Sequence, residues 1–202
     1  MSEIRKEMGD YLSREIAALK NLDMDEWERV FECVLRHYEN GDTIYTMGNG
    51  GSASTASHMV CDFNKGVSSE LEKRFNFVCL SDNTTEMMAV ANDLGYENVF
   101  LYPLEKKLKK SDLVIAISGS GNSHNIIKAA QYAKKLGCDI VGVTGYEGGK
   151  LKNIANYHID VEIDDMQITE DIHLIFNHMM MQVLWKHLME KEGKKAVYHI
   201  NQ

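Results

Sequence analysis

Apolar residues recur at helical spacing through the N-terminal part of the chain. One stripe contains Ile4, Met8, Leu12, Ile16 and Leu19, and a second contains Trp27, Val30, Phe31, Val34 and Tyr38. This spacing predicts two amphipathic helices. Asp23 and Glu26 have the spacing of a capping box at the start of the second helix, and Gly41 is its expected C-terminal stop. The apolar faces of this helical pair are expected to pack on the body of the protein or on another subunit.

After Gly41 the pattern changes to short apolar segments that alternate with helical ones. The expected strands are Thr43–Met47, Phe77–Ser81, Leu113–Ser118, Asp139–Thr144 and Tyr157–Val161. The expected helices lie near residues 53–65, 84–92, 123–136, 149–155 and 168–190. Such alternation, with nearly continuous apolar strands, predicts a parallel sheet covered by helices on both faces. Ligands of these sheets bind beyond the carboxyl ends of the strands, where the strand order reverses.

The expected fold is therefore a single α/β domain: a three-layer, doubly wound, five-stranded parallel sheet with an N-terminal helical extension. Residues 1–40 form the helical pair, residues 41–190 the α/β core, and residues 191–202 a tail. The 202 residues suffice to bury a sizeable core. The sequence contains no internal repeat and no linker that would mark a second domain.

Charge and composition narrow the class of partner. The formal net charge is −8, which disfavours nucleic acid and anionic membranes as partners. No apolar run approaches the roughly 18 residues of a membrane span, and the N-terminal segment is charged throughout, so we expect a cytoplasmic protein. The four cysteines are widely separated and form neither a metal-binding nor a disulfide pattern.

Two glycine- and serine-rich loops follow predicted strands and precede predicted helices. The first is Gly48-Asn49-Gly50-Gly51-Ser52-Ala53, in which Ser52 is the expected helix cap. The second is Ser118-Gly119-Ser120-Gly121-Asn122-Ser123. Glycines allow the backbone to approach a ligand closely, and the N–H groups of a helix N-terminus attract an anion. Together the loops predict a phosphate site that needs no lysine or arginine.

The first loop also fits the dinucleotide fingerprint, with Gly48, Gly50 and Ala53 at the required spacing. The acidic residue expected about 20 positions further on is absent, because Asp82 lies beyond that distance. A dinucleotide would also leave the second loop without a role. We therefore expect no nucleotide cofactor.

The two loops, in one alternating α/β domain, resemble the sugar isomerase (SIS) family and most closely its phosphoheptose isomerase branch. Further matches are Leu80-Ser81-Asp82, Asn92-Asp93-Leu94-Gly95 and the segment from Thr144 to Lys150. The resemblance covers residues from about 40 to 190. It implies the flavodoxin-like SIS fold and a sugar phosphate ligand. The expected contacts to that ligand are Asn49, Gly50, Gly51, Ser52, Asp93, Ser118, Gly119, Ser120, Asn122 and Ser123.

A second set of polar residues can carry chemistry. His58 and Asp62 are four apart and share one face of the helix after the first loop. The long last helix carries Glu170, Asp171, His173 and His178. Periodicity alone does not choose among these four residues.

The resemblance assigns roles to four of these residues. It implies metal ligands at His58, Asp62, Glu170 and His178, and catalytic roles for Asp62, Glu170 and His178. Asp62 stands where the branch has glutamate, and Glu170 stands where it has glutamine. Two histidines and two carboxylates are suitable zinc ligands, although the same cluster can act as an acid–base group without metal.

The resemblance implies interconversion of an aldose phosphate and a ketose phosphate through an enediol, with sedoheptulose 7-phosphate as the model substrate. Either Glu170 or Asp62 can serve as the base, with His178 as the acid. A homotetramer with sites at subunit interfaces is also implied, and the N-terminal helices are its expected interface. The alternative is a noncatalytic SIS regulator or scaffold of the type that associates with a replication initiator.

Overall fold

The protein is described by a computed structural model over residues 2–196. The helices are α1 (Glu3–Lys20), α2 (Met24–Asn40), α3 (Gly50–Cys61), α4 (Thr84–Leu94), α5 (Leu101–Leu104), α6 (His124–Leu136), α7 (Gly149–Lys152) and α8 (Met166–Lys191). The strands are β1 (Ile44–Met47), β2 (Phe77–Cys79), β3 (Leu113–Ser118), β4 (Asp139–Gly145) and β5 (Tyr157–Val161). A π-helical turn (Asp62–Val67) and two 3₁₀ turns (Ser68–Glu70, Tyr96–Asn98) complete the elements.

The five strands form one parallel sheet in the order β2-β1-β3-β4-β5. This order confirms the predicted doubly wound, flavodoxin-like fold. The direction of winding reverses between β1 and β3, and pairing of Met47 with Ala116 brings the carboxyl ends of these two strands side by side. The two glycine- and serine-rich loops follow β1 and β3, so both lie at the switch point where such sheets bind ligands.

Helices cover both faces of the sheet, and β3 at its centre is therefore buried along its whole length. Leu113, Ile115 and Ile117 face the core formed with α2, α3 and α8, whereas Val114 and Ala116 face the core formed with helices α4 to α7. Alternation along a strand sends neighbouring side chains to opposite faces. The sheet therefore holds α3 and α8 together on one face, beside both loops.

The two N-terminal helices differ in burial. On α2, Trp27 and Val30 are buried, and the Trp27 ring packs edge-on against Phe176 of α8 with ring centroids 5.3 Å apart. The apolar stripe of α2 therefore packs on the body of the protein, which is one of the two predicted alternatives, and the subunit interface stays a prediction. By contrast α1 buries no residue and leaves one apolar stripe exposed: Ile4, Met8, Leu12 and Ile16.

Polar contacts attach α1 to the first turns of α8. The Tyr11 hydroxyl donates to the Asp171 carboxylate, and the Arg14 guanidinium donates to Asp165 at 2.6 Å. The hydrogen bond to Asp171 is the main cause that raises the pKa of Tyr11 to about 12, because ionisation would place two negative charges side by side. α1 is therefore attached to α8 by these polar contacts, and partly buried apolar residues on the same side of α1 pack against the core.

The predicted caps of α2 are largely confirmed. The Asp23 carboxylate accepts from the backbone N–H of Glu26 at 3.0 Å, and Gly41 ends the helix in the left-handed conformation. The Glu26 carboxylate does not complete a capping box; it accepts from the backbone N–H of His158 at 2.9 Å, which ties α2 to β5.

Several predicted boundaries shift. The helix expected from residue 53 begins at Gly50, and its last part is the π-helical turn rather than α-helix. Half of the tail predicted at 191–202, residues 197–202, falls outside the described residues, and the domain bounds stay a prediction. Within residues 2–196, no helix has the length and apolar character needed to span a membrane.

Candidate active site

The loops after β1 and β3 meet to form a cavity of about 260 Å³. Its lining includes most residues predicted to bind phosphate: Asn49, Gly50, Gly51, Ser52, Ser118, Gly119, Ser120 and Ser123. Met166 and Glu170 of α8 close the other side. The structure therefore brings together two segments about 70 residues apart in sequence, as the switch-point argument predicts.

The residues that immediately precede the two helices at this cavity make no capping hydrogen bond. Asn49 precedes α3 and Ser123 precedes α6, and neither side chain makes a capping hydrogen bond. The prediction that Ser52 caps the helix is wrong, because α3 already begins at Gly50 and Ser52 is buried within its first turn. First-turn N–H groups without a side-chain acceptor form an anion site.

Close packing of glycines fixes the shape of the second loop. Gly121 has a φ of 62°, and a Cβ there would lie 2.0 Å from the carbonyl oxygen of Gly148. The backbone N–H of Gly145 donates to the carbonyl of Gly119 at 2.7 Å. The loop is therefore held against the end of β4 and the turn that follows it.

The hydroxyls of Ser118 and Ser123 in the second loop lie close together, whereas the side chain of Asn122 is hydrogen-bonded to backbone groups. The Ser118 and Ser123 hydroxyl oxygens are 3.2 Å apart. The Asn122 amide donates to the carbonyl of Ser120 at 2.8 Å and accepts from the backbone N–H of Lys150 at 3.2 Å. Asn122 thus stabilises the loop, and it is absent from the cavity lining.

Asn125 and Tyr96, which both contact the side chain of Asn49 in the first loop, were not predicted as site residues. Asn49 and Asn125 exchange two side-chain hydrogen bonds of 2.9 Å each, and the Tyr96 hydroxyl donates to the side-chain oxygen Oδ1 of Asn49 at 2.9 Å. Asn125 is 3% exposed, which is unusual for a helical asparagine and is explained by this pairing. The only feature of the sequence that could have pointed to Tyr96 is its position directly after the Asn92–Gly95 match. Asp93 itself is exposed and accepts from Asn92 rather than lining the cavity.

Glu170 lies over the start of α3. A Cβ at Gly51 would be 2.3 Å from a carboxylate oxygen of Glu170, so only glycine leaves room for this side chain. Glu170 is partly buried and forms one wall of the cavity. The structure therefore places this carboxylate beside the phosphate loops.

A histidine–aspartate cluster, formed by His58, Asp62 and His178, lies further along the same two helices. The Nε2 atoms of His58 and His178 are 3.0 Å apart. One Asp62 carboxylate oxygen lies 3.3 Å from Nε2 of His58 and 3.8 Å from Nε2 of His178. The shorter aspartate side chain thus still reaches both rings. The two histidine side chains are about half exposed, at 45% and 48%, whereas that of Asp62 is 13% exposed.

α3 and α8 run in the same direction, with Gly51 against Glu170 near their starts and His58 against His178 further on. His58 follows Gly51 by seven residues, and His178 follows Glu170 by eight. At 1.5 Å per residue these intervals correspond to about 10–12 Å along a helix axis. The phosphate cavity and the histidine–aspartate cluster are thus about two helical turns apart on one pair of helices.

The histidine–aspartate cluster fits a divalent metal such as zinc. Ligand atoms around a tetrahedral zinc ion with bonds of 2.0–2.1 Å lie about 3.3–3.4 Å apart, close to the observed 3.0, 3.3 and 3.8 Å. Two imidazoles and a carboxylate also match catalytic zinc sites that retain an open position. Glu170 is not in this group, whose ligand atoms all lie within 4.8 Å of one another. Its assignment as a metal ligand stays a prediction.

A second group with metal-ligand chemistry, Cys33, His37 and Asp139, lies at the amino ends of the strands, where Asp139 begins β4. Here the Arg36 guanidinium donates to Asp139 at 2.6 Å and to the Cys33 sulfur at 3.4 Å. Burial raises the pKa of the Cys33 thiol to about 12, so the thiolate that a metal requires is disfavoured. The positively charged Arg36 side chain already occupies this position, and the group is better explained as a structural hydrogen-bond network.

His173 of α8 has a structural role. Its ring is 1% exposed, and Nε2 lies 3.0 Å from the carbonyl oxygen of Thr144 at the end of β4. The carbonyl accepts, so the ring carries its proton on Nε2. Burial lowers the pKa of His173 to about 4, and the imidazole is therefore neutral at physiological pH. This residue joins α8 to β4 below the cavity.

Comparison with known proteins agrees with the fold and the loops. The SIS domain family model matches residues 9–145. A probable phosphoheptose isomerase of Thermoplasma volcanium is 32% identical over 88% of this chain and 90% of its own length. The phosphoheptose isomerase of Helicobacter pylori strain P12 is also 32% identical, over 90% of this chain and 95% of its own length.

A solved structure shows the same architecture. The phosphoheptose isomerase of Neisseria gonorrhoeae superposes with a TM-score of 0.82, covering 90% of this chain and 98% of that one, at 23% identity. At this level of identity the likeness supports the fold, and it agrees with the strand order described above.

Proposed function

The chain belongs to the phosphoheptose isomerases of the SIS-domain family, and from this premise we propose that it interconverts the aldose and ketose forms of a sugar phosphate such as sedoheptulose 7-phosphate. One observation carries the proposal: the phosphate cavity and the histidine–aspartate cluster lie along the same pair of helices, about two turns apart. A long sugar phosphate spans this interval, whereas a triose phosphate does not.

The cavity binds the phosphate end of the substrate. Backbone N–H groups at the starts of α3 and α6 attract the anion, and the hydroxyls of Ser118, Ser120 and Ser123 donate to its oxygens. The amide pair of Asn49 and Asn125 keeps the two loops in register. Fixing the phosphate orients the remainder of the sugar along α3 and α8, which reduces the entropy lost in reaching the transition state.

The reaction moves one proton between adjacent carbons. A base removes the proton from the carbon next to the carbonyl, an enediol forms, and the proton returns to the neighbouring carbon as the carbonyl shifts. Asp62 lies beside His178 in the histidine–aspartate cluster, whereas Glu170 lies about two helical turns away beside the phosphate cavity. Asp62 is therefore the carboxylate placed to act as base at the carbonyl end, through the oxygen other than the one that faces the two histidines. When no metal is bound, His178 supplies and removes the proton on the substrate oxygen.

We assign the metal to the histidine–aspartate cluster, with zinc held by His58, Asp62 and His178. When bound, zinc would stabilise negative charge on the carbonyl oxygen. The carboxylate of Asp62 orients the two rings in either the loaded or the metal-free state, since it faces both Nε2 atoms.

We further propose a cytoplasmic homotetramer. The exposed stripe of α1 is the surface of this chain that supports assembly, because its apolar side chains have no partner in the subunit core. The noncatalytic scaffold is not favoured, since a binding module needs the serine loops but does not need two histidines and an aspartate placed within 4 Å of one another.

The roles separate in two isosteric variants. Conversion of sedoheptulose 7-phosphate is measured together with zinc stoichiometry in Glu170→Gln and Asp62→Asn. Asp62→Asn is expected to lose both turnover and zinc, whereas Glu170→Gln is expected to keep its zinc and its kcat. Unchanged turnover in Asp62→Asn would exclude an isomerase that uses this carboxylate.

A substrate series tests the length argument. Ketose phosphates of seven, six, five and three carbons are compared at equal concentration. Turnover is expected with the longer chains and not with the triose. Equal turnover across the series would contradict the proposed two-ended binding.

A further inference from the structure

Asn177 is a fully buried polar residue next to a candidate ligand. It lies on α8 between Phe176 and His178, and its side chain is 0% exposed. The amide nitrogen donates to an Asp62 carboxylate oxygen at 2.7 Å. The amide oxygen has no hydrogen-bond partner among the described residues. A buried amide satisfied on only one side is less favourable for folding than an apolar residue of similar size, so stability does not explain its presence.

Asp62 has two features that make such a contact consequential. It is the first residue of the π-helical turn, a distortion that occurs often at functional sites. The carboxylate oxygen that accepts from Asn177 is also the one that faces Nε2 of His58 and Nε2 of His178. The terminal torsion of an aspartate is broad, so nothing in the side chain itself selects this orientation.

We propose that Asn177 is a positioning residue that holds the Asp62 carboxylate toward His58 and His178. The inference rests on the proposed function, because it assigns the role of Asn177 through the histidine–aspartate cluster. Asn177 touches neither the phosphate cavity nor a reacting atom; it acts through Asp62.

The expected effect follows from the chemistry of the contact. An N–H donor to a carboxylate is a charge-assisted hydrogen bond, stronger and more directional than a neutral one. Partners of this kind orient metal ligands, and their loss weakens metal affinity or activity by about 10- to 100-fold. Since the phosphate cavity lies about two helical turns away, substrate binding through the phosphate should be unaffected.

The test replaces the amide with an apolar group in Asn177→Leu. Zinc affinity is measured by competition with a chromogenic chelator, the cobalt-substituted protein is examined by visible absorption, and kcat and KM are measured separately. We expect zinc affinity and kcat to fall by about 10- to 100-fold, an altered cobalt spectrum, and a KM within about twofold of wild type.

Asn64→Leu is the matched control. Asn64 also belongs to the π-helical turn, but its amide exchanges two 2.8 Å hydrogen bonds with the backbone of Phe77 on β2. This variant is expected to lose thermal stability while keeping zinc affinity. Equal losses of zinc affinity in the two variants would reduce Asn177 to a structural residue and overturn the inference.

The remaining outcomes are also decisive. A folded Asn177→Leu with wild-type zinc affinity and kcat contradicts the role of Asn177 while leaving the proposed function intact. If Asn177→Leu does not fold, Asn177→Ser is judged by the same criteria. If the wild type isomerises without zinc, the difference in kcat between the wild type and Asn177→Leu alone decides whether Asn177 has the proposed role. If it neither binds zinc nor isomerises, the proposed function fails and this inference fails with it.

Discussion

The Nε2 atoms of His58 on α3 and His178 on α8 lie 3.0 Å apart, although the residues are 120 positions apart in sequence. The two rings meet edge-on, at an interplanar angle of 76°. Two imidazole nitrogens at this distance share one proton, or they face a common cation. The contact therefore couples the helix that follows the first phosphate loop to the long C-terminal helix.

Zinc should stabilise the protein through this pair. A ligand that binds only the folded state at 100 times its Kd raises the unfolding free energy by about 2.7 kcal/mol. We expect this increase for the wild type and little of it for His58→Ala, in urea titrations with and without zinc. His187→Ala, which removes an exposed histidine of α8 outside the histidine–aspartate cluster, is the control and should respond as the wild type does. An undiminished zinc response in His58→Ala would show that the metal binds elsewhere.

The position of Glu170 should depend on the absence of a side chain at Gly51. The methyl group of Gly51→Ala would lie 2.3 Å from a Glu170 carboxylate oxygen and must displace it. Because Glu170 forms one wall of the phosphate cavity, this displacement should raise KM for the sugar phosphate and change kcat little. Because the displaced atoms end a flexible side chain, the variant should fold.

Gly9→Ala is the control for this substitution. Gly9 lies on exposed α1 with open space around it, so alanine there should stabilise the helix by about 0.5–1 kcal/mol and leave KM and kcat unchanged. An unchanged KM in Gly51→Ala would show that the position of Glu170 does not shape the phosphate cavity.

The fold was largely predictable because strand alternation and the caps of α2 are local signals. Leu113–Ser118 and Tyr157–Val161 have the predicted bounds, since each is an apolar run in a buried strand. Ser52 was assigned wrongly because a serine early in a helix looks the same in sequence whether it precedes the first turn or lies within it. The local sequence pattern does not determine at which residue the first helical turn begins.

The candidate site was predictable only in its loops. α8 is apolar on most of its circumference, so periodicity does not reveal which of its polar residues meets α3. That Glu170 faces Gly51 while His178 faces His58 depends on how the two helices pack. Asn177 was not singled out because its significance arises only from the distant Asp62 carboxylate.

The second loop should not tolerate a side chain at Gly121. Alanine at a positive φ costs about 1–2 kcal/mol, and here its Cβ would also lie 2.0 Å from the Gly148 carbonyl oxygen. We expect Gly121→Ala to raise KM for the sugar phosphate, because the loop must move away from the turn after β4. Enzyme kinetics and urea titrations measure the two effects.

Gly137→Ala separates the effect of the positive φ from the effect of the close contact with the Gly148 carbonyl. Gly137 ends α6 with a φ of 80°, but a Cβ there approaches only the flexible Lys110 side chain, at 3.4 Å. This variant should show the loss of stability expected from φ alone and an unchanged KM. If both variants have the same stability and the same KM, the contact between Gly121 and Gly148 does not shape the phosphate site.

The neutral state of buried His173 should make stability depend on pH. Burial lowers the pKa of this imidazole from 6.5 to about 4, so between these values the unfolded chain binds a proton that the folded protein does not. The stability that His173 contributes is therefore complete above about pH 6.5 and is lost as the pH falls toward 4, by on the order of 3 kcal/mol. His173→Gln keeps an N–H donor for the Thr144 carbonyl but does not titrate. Urea titrations from pH 7.5 to 4 should therefore give a shallower decline for the variant than for the wild type, since acid effects from other groups are common to both. Parallel curves would mean that His173 is protonated to the same extent in the folded and unfolded states.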